Sequence, residues 1–336
     1  MTDLTSIITI AIPVLNGEKY LKEAIESAIN QITPADEILV FVHDTSDESI
    51  LIARGFGQRI RIVEENTNLN IGQAWNRLYE LSQSDYVVML HADDKLHESA
   101  IENFKYAIEK NPLAGMIFGI LCLKNEILQT SVTNFSSEHI PRSNNAFEAA
   151  MQTGFLPGCS GLCLKRDVII HNKFSERLNI ILDVEFFNRI CLCIEVVGLP
   201  FILATYRVHA HSTSQISKIK HTVDDYKLLL SDLKNISINL SGENASKYSG
   251  SILRRFASYY SSLIHAYEVD MALDLVSTWK WQISENNQVY RTYLSKFMRI
   301  FIEISLIDCN YGFFLSFILA RLHRFISRKH LHKTTA

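Results

Sequence analysis

Residues 8–14 read ITIAIPV, an almost wholly apolar run that is rich in β-branched residues. Such a run is typical of a parallel strand that helices cover on both faces. Apolar residues then recur at helical spacing between Tyr20 and Ile29, and Asn16 is a residue type that can cap that helix. The stretch therefore predicts a strand that leads directly into a helix, which is the first unit of an α/β fold.

The same alternation continues outward from this stretch. Further strands are predicted at 37–42, 60–65 and 85–90, and further helices at 71–83 and 98–111. We therefore expect an α/β fold with a mostly parallel central sheet and helices on both of its faces. Ligands of such sheets bind at the carboxyl ends of the strands. Polar residues follow the predicted strands there: Asn16, His43, Asp44, Asp93 and Asp94.

The second half of the chain has a mixed pattern. Residues 116–123 and 126–133 predict further strands, 157–161 a turn, and 184–197 a helix with one apolar side. From about residue 220 the sequence consists of long helical segments. We therefore predict an α/β domain at 1–216 and a C-terminal helical region at 217–336.

The segment 297–333 is apolar, rich in Phe and Ile, and ends in basic residues. Glu303 and Asp308 interrupt it, so a membrane-spanning helix is not expected. Two interpretations stay open. The segment forms either a helix in the membrane interface, with its basic residues at anionic headgroups, or a helix packed on the domain.

The overall charge argues against one class of partner. The chain has 36 acidic and 33 basic residues, a balance that is unlike that of nucleic-acid-binding proteins. Its six cysteines form no CxxC pair and are expected to be buried thiols in a reducing cytosol. The first residues lack the basic start of a signal peptide. We therefore expect a cytoplasmic protein, at the inner face of the plasma membrane if the segment 297–333 binds lipid.

Asp93 and Asp94 stand side by side where the strand at 85–90 ends. A hard divalent cation such as Mg²⁺ or Mn²⁺ binds one or two carboxylates and completes its coordination with water and phosphate oxygens. The pair therefore predicts a metal site that suits a diphosphate. The alternative is a surface turn in which the carboxylates cap the helix that begins near His97.

Five segments carry a further pattern through the first part of the chain. They are ITIAIPVLNGEKYLKEAIESAINQ (8–31), EILVFVHDTSDES (37–49), NLNIGQAWNRLYELSQSDYVVMLHADD (68–94), LDVEFFNRI (182–190) and LATYRVHAHSTS (203–214). In this order they resemble the family-2 glycosyltransferases, which are nucleotide-sugar enzymes with the GT-A fold. The resemblance covers about residues 6–216. It implies a Rossmann-like sheet, a nucleotide-sugar donor and a divalent cofactor, Mn²⁺ or Mg²⁺.

The resemblance also implies which residues contact the nucleotide. They are Pro13, Val14, Leu15, Asn16, His43, Asp44, Asn70, Gly72, Asn76 and Arg207. Asp44 would bind the uracil edge or the ribose, with His43 or Asp47 sharing the task, and Arg207 would hold phosphate. An Asx turn or a helix cap is the alternative for both aspartates, and a tight helix entry is the alternative for Gly72.

The resemblance implies that Asp183 is the catalytic base, which accepts the proton of the acceptor hydroxyl. Its position before a predicted helix also fits an N-cap, and Glu185 is the second candidate for the base. His209 would complete the metal site at the two aspartates, with His211 as the alternative. A histidine on the surface without a ligand is the other interpretation of each.

One residue departs from the family pattern. His91 stands where the family commonly has the first aspartate of its metal motif. Imidazole favours softer ions than carboxylate does, so His91 bears on which metal is bound.

The resemblance, together with these residues, implies an inverting glycosyltransferase. Its donor would be a nucleoside-diphosphate sugar, with a UDP-sugar as the first choice, and its acceptor a saccharide or lipid-linked molecule of surface polysaccharide biosynthesis, such as O-antigen or capsule. The rival from another class is a non-catalytic subunit that binds a nucleotide sugar or serves as a scaffold. A nucleotidyltransferase fits less well, because the stretch VLNGEKYL (14–21) has one glycine and no basic cluster.

Overall fold

The structure is a computed structural model, and it describes residues 8–133, 159–190, 193–210 and 221–229. Contacts between Cα atoms divide the chain into Met1–Ile216 and Ser217–Ala336. In the second unit the described residues form a helix at 221–229. All other described residues belong to the first unit.

Strands and helices alternate through the described part of the first unit. The strands are β1 (Ile8–Val14), β2 (Glu37–His43), β3 (Arg61–Glu65), β4 (Tyr86–Met89), β5 (Lys95–Leu96), β6 (Ala114–Asn125), β7 (Thr130–Thr133), β8 (Leu162–Lys165) and β9 (Glu195–Val208). The α-helices are α1 (Leu21–Ile29), α2 (Ser49–Arg54), α3 (Ile71–Leu81), α4 (Ala100–Lys110), α5 (Arg166–Asn172) and α6 (Leu182–Ile190). A short 3-10 helix spans Gly57–Arg59.

The described strands form one nine-stranded sheet in the order β3–β2–β1–β4–β8–β6–β9–β5, with β7 paired to β6. Strands β1 to β4 pair in parallel, as the apolar runs predicted. Strand β8 is antiparallel to both β4 and β6, and β5 is antiparallel to β9. The sheet therefore has a parallel half from the start of the chain and a mixed half from its middle.

Strand direction brings the carboxyl ends of six strands to one edge of the sheet. Strands β1 to β4 run in one direction. Strand β6 runs in the same direction as β4, because both are antiparallel to β8, and β9 is parallel to β6. Residues that follow these strands are the expected ligand-binding residues of such a fold.

The core lies on both faces of β1. Ile8, Ile10, Ile12 and Val14 are fully buried, and so are the intervening Thr9 and Ala11. Helix α1 packs its apolar side on this core through Leu21, Ala24, Ile25 and Ala28. Burial of each large aliphatic side chain contributes about 1.5–3 kcal/mol. Because both faces are covered, the strand has a continuous apolar sequence instead of an alternating one.

The predicted helix at 184–197 is wrong in its second half. Helix α6 ends at Ile190, and β9 begins at Glu195. The residues Val196 and Val197 continue the apolar spacing of the helix, which hid the change of structure from the sequence pattern. Both are β-branched, and they pair with β6 in parallel.

The predicted role of Asn16 as a helix cap is also wrong. Helix α1 begins at Leu21, and its N-cap residue Tyr20 makes no side-chain capping bond. Asn16 instead has a left-handed backbone, with φ of 52°. Its side chain accepts hydrogen bonds from the loop after β2, as described below.

No helix among the described residues is long and apolar enough to cross a membrane. The segment 297–333 and most of the predicted C-terminal helical region lie outside the described residues. The interpretations of that segment therefore stay predictions.

Candidate active site

A cluster of three possible metal ligands follows β4 at the carboxyl edge. His91, Asp93 and Asp94 each place one ligand atom within 4.8 Å of the others. The Nδ1 atom of His91 lies 3.7 Å from Oδ2 of Asp94. The sequence predicted Asp93, Asp94 and His209 as metal ligands, and the geometry adds His91 as a further candidate.

Asp94 is the buried member of the cluster, with 1% of its surface exposed. It accepts hydrogen bonds from the Ser160 hydroxyl and, at 2.8 Å, from the backbone N–H of Arg207. Burial, together with the charge of Asp93, raises the pKa of Asp94 to about 8. This carboxyl group therefore ties the end of β4 to β9 and to the turn before β8.

Asp93 is the accessible member of the cluster. Its side chain is 32% exposed, and its Oδ2 lies 3.0 Å from Nε2 of His209. The buried ring of His209 packs against the ring of Tyr20, with centroids 4.7 Å apart. The structure thus brings the three predicted metal residues, Asp93, Asp94 and His209, into one neighbourhood.

The ring of His91 is held in place by Trp75 of α3, with which it stacks at a centroid distance of 5.4 Å. Its Nε2 atom is buried and has no hydrogen-bond partner among the described residues. Burial lowers the pKa of His91, which favours the neutral imidazole that can bind a metal. One imidazole and two carboxylates fit a divalent ion of intermediate softness such as Mn²⁺ better than they fit Mg²⁺.

Asp183 lies in the first turn of α6, where its Oδ1 accepts a hydrogen bond of 2.7 Å from the N–H of Val184. The thiol of Cys159 is buried in the turn before β8. Its pKa is raised well above the usual value, first by burial and then by the charges of Asp183 and Asp94.

Glu185 is less suited to act as the base. Its side chain is buried and forms a two-pronged ion pair with Arg189, at 2.7 Å and 3.2 Å. Arg189 also donates to the carbonyls of Asn172 and Lys173. Glu185 is thus committed to anchoring α6 on the end of α5.

A row of aromatic rings links the metal cluster to α6. Trp75, which stacks on His91, meets Phe174 edge to face at 5.2 Å. Phe174 in turn stacks on Phe186 of α6 at 4.0 Å. Such ring pairs contribute about 0.5–1.5 kcal/mol each beyond the area they bury. They fix α6 relative to the cluster through packed side chains.

The loops after β1 and β2 are joined by polar bonds. The side-chain oxygen of Asn16 accepts a hydrogen bond from the N–H of Ser46 at 2.9 Å. The backbone N–H of Asn16 donates to the Thr45 hydroxyl, also at 2.9 Å. The N–H groups of Gly17 and Glu18 donate to Ser49 and Asp47. These bonds hold the two loops together before any ligand is present.

The predicted nucleotide residues of these loops differ in exposure. Val14 is buried, Pro13 is half-buried, and Leu15 is 51% exposed at the edge. His43 is buried beside Phe41, with its Nδ1 lacking a partner among the described residues, and burial lowers its pKa. Asp44 is exposed and has a φ of 45°.

Asp47 takes the structural alternative that the sequence left open. Its Oδ1 accepts from the N–H of Ser49 at 3.0 Å, which is an Asx turn, and its Oδ2 accepts from Glu18 at 2.9 Å. These bonds lower the pKa of Asp47, against the opposing effect of its partial burial. Asp44 is therefore the more available of the two carboxylates.

Asn70, Gly72 and Asn76 hold the segment 174–176 against α3. Asn70 caps α3 and donates to the carbonyl of Glu176 at 2.9 Å. Asn76 donates to the carbonyl of Phe174 and accepts from its N–H, at 3.0 Å and 2.8 Å. A Cβ at Gly72 would lie 2.3 Å from a backbone oxygen of this segment. Their predicted contact with a nucleotide stays a prediction.

Arg207 is surrounded by carboxylates. Its Nη1 lies 3.3 Å from Glu126 and its Nη2 lies 3.1 Å from Glu23, and its side chain is 6% exposed. The predicted phosphate contact of Arg207 is untested. His211, the alternative to His209, lies outside the described residues.

Several residues at the site were not predicted from the sequence. Ser160, Tyr20, Trp75 and Glu126 reach it only through the packing of distant segments. Ser160 alone carried a signal, because it lies in the predicted turn PGCSG (157–161). A small hydroxyl residue in such a turn, beside a predicted sheet edge, is a candidate partner for a buried acid.

Comparison with known proteins matches the part of the chain that contains the metal cluster. The family profile described as Glycosyl transferase family 2 matches residues 9–169, which contain β1 to β4 and the metal cluster. Minor teichoic acid biosynthesis protein GgaB of Bacillus subtilis is 25% identical over 197 residues, which are 54% of this chain and 21% of GgaB. The uncharacterized glycosyltransferase RC0461 of Rickettsia conorii is 26% identical over 84% of this chain and 47% of its own length. The chain therefore spans less than half the length of these relatives.

Solved structures confirm the fold. TarS 1–349 of S. aureus superposes with a TM-score of 0.70 at 13% identity, and the match covers 95% of this chain and 91% of TarS 1–349. A crystal structure of the same protein in complex with UDP-GlcNAc gives a TM-score of 0.69. At this identity the likeness establishes a shared GT-A-like α/β fold.

Proposed function

Because the chain belongs to the family-2 glycosyltransferases, we propose that it is an inverting enzyme that transfers a sugar from a nucleoside-diphosphate donor. The observation that carries this proposal is the arrangement at the carboxyl edge. A metal-binding set of His91, Asp93 and Asp94 follows β4, and a row of aromatic rings from Trp75 to Phe186 joins it to α6, the helix that carries the carboxylate of Asp183.

The first part of the site suits the donor. A divalent ion held by His91, Asp93 and Asp94 would supply charge neutralisation to the diphosphate leaving group. Leu15 and Asp44 stand exposed at the neighbouring strand ends, where an apolar contact and a hydrogen bond to a base or ribose are available. UDP is our first choice of nucleotide, because TarS 1–349, which shares the fold, has been crystallised with UDP and with UDP-GlcNAc.

The second part of the site suits the acceptor. Asp183 accepts the proton of an acceptor hydroxyl while the hydroxyl oxygen forms a bond to the anomeric carbon of the sugar. The bond from that carbon to the diphosphate breaks in the same displacement, so the configuration at the carbon is inverted. The row of rings from Trp75 to Phe186 holds α6, and with it Asp183, in a fixed position relative to the cluster that would bind the donor.

We assign the acceptor to the saccharides or lipid-linked intermediates of surface polysaccharide biosynthesis. The support is the likeness to GgaB, whose name places it in the biosynthesis of a minor teichoic acid. A lipid-linked acceptor lies at a membrane surface, where the apolar, basic-ended segment 297–333 would make a peripheral contact.

A panel of UDP-, GDP- and dTDP-sugars tests the proposal by thermal shift with and without Mn²⁺, followed by mass spectrometry of the products formed with saccharide acceptors. We expect one nucleotide class to raise the melting temperature, and to raise it more with Mn²⁺. Tight binding of a nucleotide sugar without transfer to any acceptor would favour the non-catalytic subunit. The absence of any nucleotide-dependent shift would contradict both functions.

A further inference from the structure

The ring of Tyr20 lies between two side chains from the end of β9. The guanidinium carbon of Arg207 is 4.3 Å from the ring centroid, and the ring of His209 is 4.7 Å away. Arg207 and His209 are two positions apart, so their side chains leave the extended backbone on the same side. Tyr20 therefore contacts both through one aromatic ring, by a cation–π contact and a ring–ring contact.

Glu126 fixes this arrangement from the turn after β6. One of its carboxylate oxygens accepts the Tyr20 hydroxyl at 2.7 Å, and the other lies 3.3 Å from Nη1 of Arg207. Glu23 pairs with the second nitrogen of the same guanidinium at 3.1 Å, and Lys95 pairs with Glu23 at 2.5 Å. A buried guanidinium needs such partners, because an unpaired buried charge is strongly unfavourable.

The two residues that contact Tyr20 also hold the two aspartates of the metal cluster. The backbone N–H of Arg207 donates to Oδ1 of Asp94 at 2.8 Å, and Nε2 of His209 lies 3.0 Å from Oδ2 of Asp93. The position of the β9 end therefore decides which way both carboxylates point. Groups that orient metal ligands in this manner commonly change metal affinity about 10–100-fold when they are removed.

We propose that Tyr20 and Glu126 are positioning residues for the metal cluster. They hold the end of β9 so that Arg207 and His209 fix the orientation of Asp94 and Asp93. This inference rests on the proposed function, because it gives the cluster a divalent ion to bind. It also gives Arg207 a structural task that competes with the phosphate contact predicted from the sequence.

Neutralising Glu126 separates these two roles of Arg207. If Arg207 serves to position the cluster, Glu126→Gln loosens the guanidinium and weakens metal binding. If Arg207 serves to bind phosphate, the same substitution releases a cation from its carboxylate and strengthens the binding of UDP. The positioning role therefore predicts a lower affinity for Mn²⁺, and the phosphate role predicts a higher affinity for UDP.

The experiment is calorimetric titration of the full chain, first with Mn²⁺ alone and then with UDP in the presence of Mn²⁺. The variants are Tyr20→Phe, which keeps the ring and removes the bond to Glu126, Tyr20→Leu, which removes the ring, and Glu126→Gln. Tyr106→Phe is the matched control, because Tyr106 is 60% exposed on α4. Thermal melting followed by circular dichroism identifies the temperatures at which every variant is folded, and the titrations are compared at those temperatures.

We expect the dissociation constant for Mn²⁺ to rise about 10-fold in Tyr20→Leu and in Glu126→Gln, and less in Tyr20→Phe, whereas Tyr106→Phe matches the wild type. Wild-type affinity for Mn²⁺ in both Tyr20→Leu and Glu126→Gln would overturn the inference, as would tighter UDP binding in Glu126→Gln. If the wild-type chain itself binds no Mn²⁺, the metal part of the proposed function fails and the inference falls with it.

Discussion

The side-chain amides of Asn70 and Asn76 bind the protein's own backbone. His91 and Asp93 instead present atoms that could bind a metal ion after the end of β4. The asparagines follow the partly exposed edge strand β3 and the second group follows the buried strand β4, and both groups belong to motifs that the sequence predicted as ligand-binding. The two groups differ in whether their polar side-chain atoms have hydrogen-bond partners within the protein. The asparagines pair with the segment 174–176, while the buried Nε2 of His91 has no partner among the described residues.

This comparison teaches that a motif at a strand end can serve the fold, the ligand, or both. The group that holds the segment 174–176 consists of Asn70, Gly72 and Asn76, and we expect its loss to appear first in stability. The cluster of His91, Asp93 and Asp94, together with Asp183 on α6, has the chemistry for ligands, and we expect its loss to appear first in binding and turnover.

The largest effect is expected at Asp183. In Asp183→Asn the acceptor hydroxyl loses its base, so turnover of a labelled UDP-sugar should fall at least ~10²-fold, with the melting temperature little changed. Asp167→Asn is the matched control, because Asp167 is an exposed acid in the first turn of α5. Turnover near the wild-type rate in folded Asp183→Asn would remove Asp183 from the mechanism.

Asn76→Ala tests the other side of the comparison. The substitution leaves the buried N–H and carbonyl of Phe174 without their partner, so the free energy of unfolding should fall by about 2 kcal/mol in urea titrations. Among the described residues, the side-chain amide of Asn103 binds only Ser99, at the start of α4. Asn103→Ala should therefore lower the free energy of unfolding by less than Asn76→Ala does. Weaker UDP binding with unchanged stability in Asn76→Ala would instead support the predicted nucleotide contact.

His91→Asp sharpens the assignment of the metal. Replacing the imidazole with a third carboxylate should shift the ratio of Mn²⁺ to Mg²⁺ affinity toward Mg²⁺ by about 10-fold, because Mg²⁺ prefers oxygen ligands. Calorimetry with each ion in the absence of nucleotide measures the ratio. His97→Asp is the control on an exposed histidine. An unchanged ratio would exclude His91 from the coordination.

Asn16→Gly should have the smallest effect. Glycine tolerates the left-handed backbone of this position, so the substitution removes only the side-chain bonds to the loop after β2. Because those bonds are exposed, the loss of stability should stay below about 1 kcal/mol. A loss of several kcal/mol would show that the joined loops contribute more to the fold than we infer.

Three strands of the parallel half, β1, β2 and β4, could be predicted because each is a largely buried apolar run followed by a helix or a polar turn. The change from helix to strand between Ile190 and Glu195 could not be predicted. The spacing of Ile190, Ile194 and Val197 fits a helix, and their β-branched composition fits a strand equally well. Pairing with β6, a contact between distant segments, decided between them.

The site, like the sheet, could be predicted only where neighbouring residues of the chain carry the evidence. Asp93 and Asp94 were predicted as a pair that follows a strand, and the structure places them after β4 in a cluster with His91. The tie from Asp94 to Ser160 and the contact of Tyr20 with His209 join segments that are far apart in sequence. Such contacts follow from strand order, which local patterns do not contain.

The most direct test of the metal cluster is titration of UDP into the chain with and without Mn²⁺, compared with Asp93→Asn and with Asp85→Asn as the exposed control at the start of β4. We predict that Mn²⁺ tightens UDP binding at least ~10-fold in the wild type and in Asp85→Asn, and that the gain is lost in Asp93→Asn. An affinity for UDP that is the same in all three proteins, with and without Mn²⁺, would contradict the account.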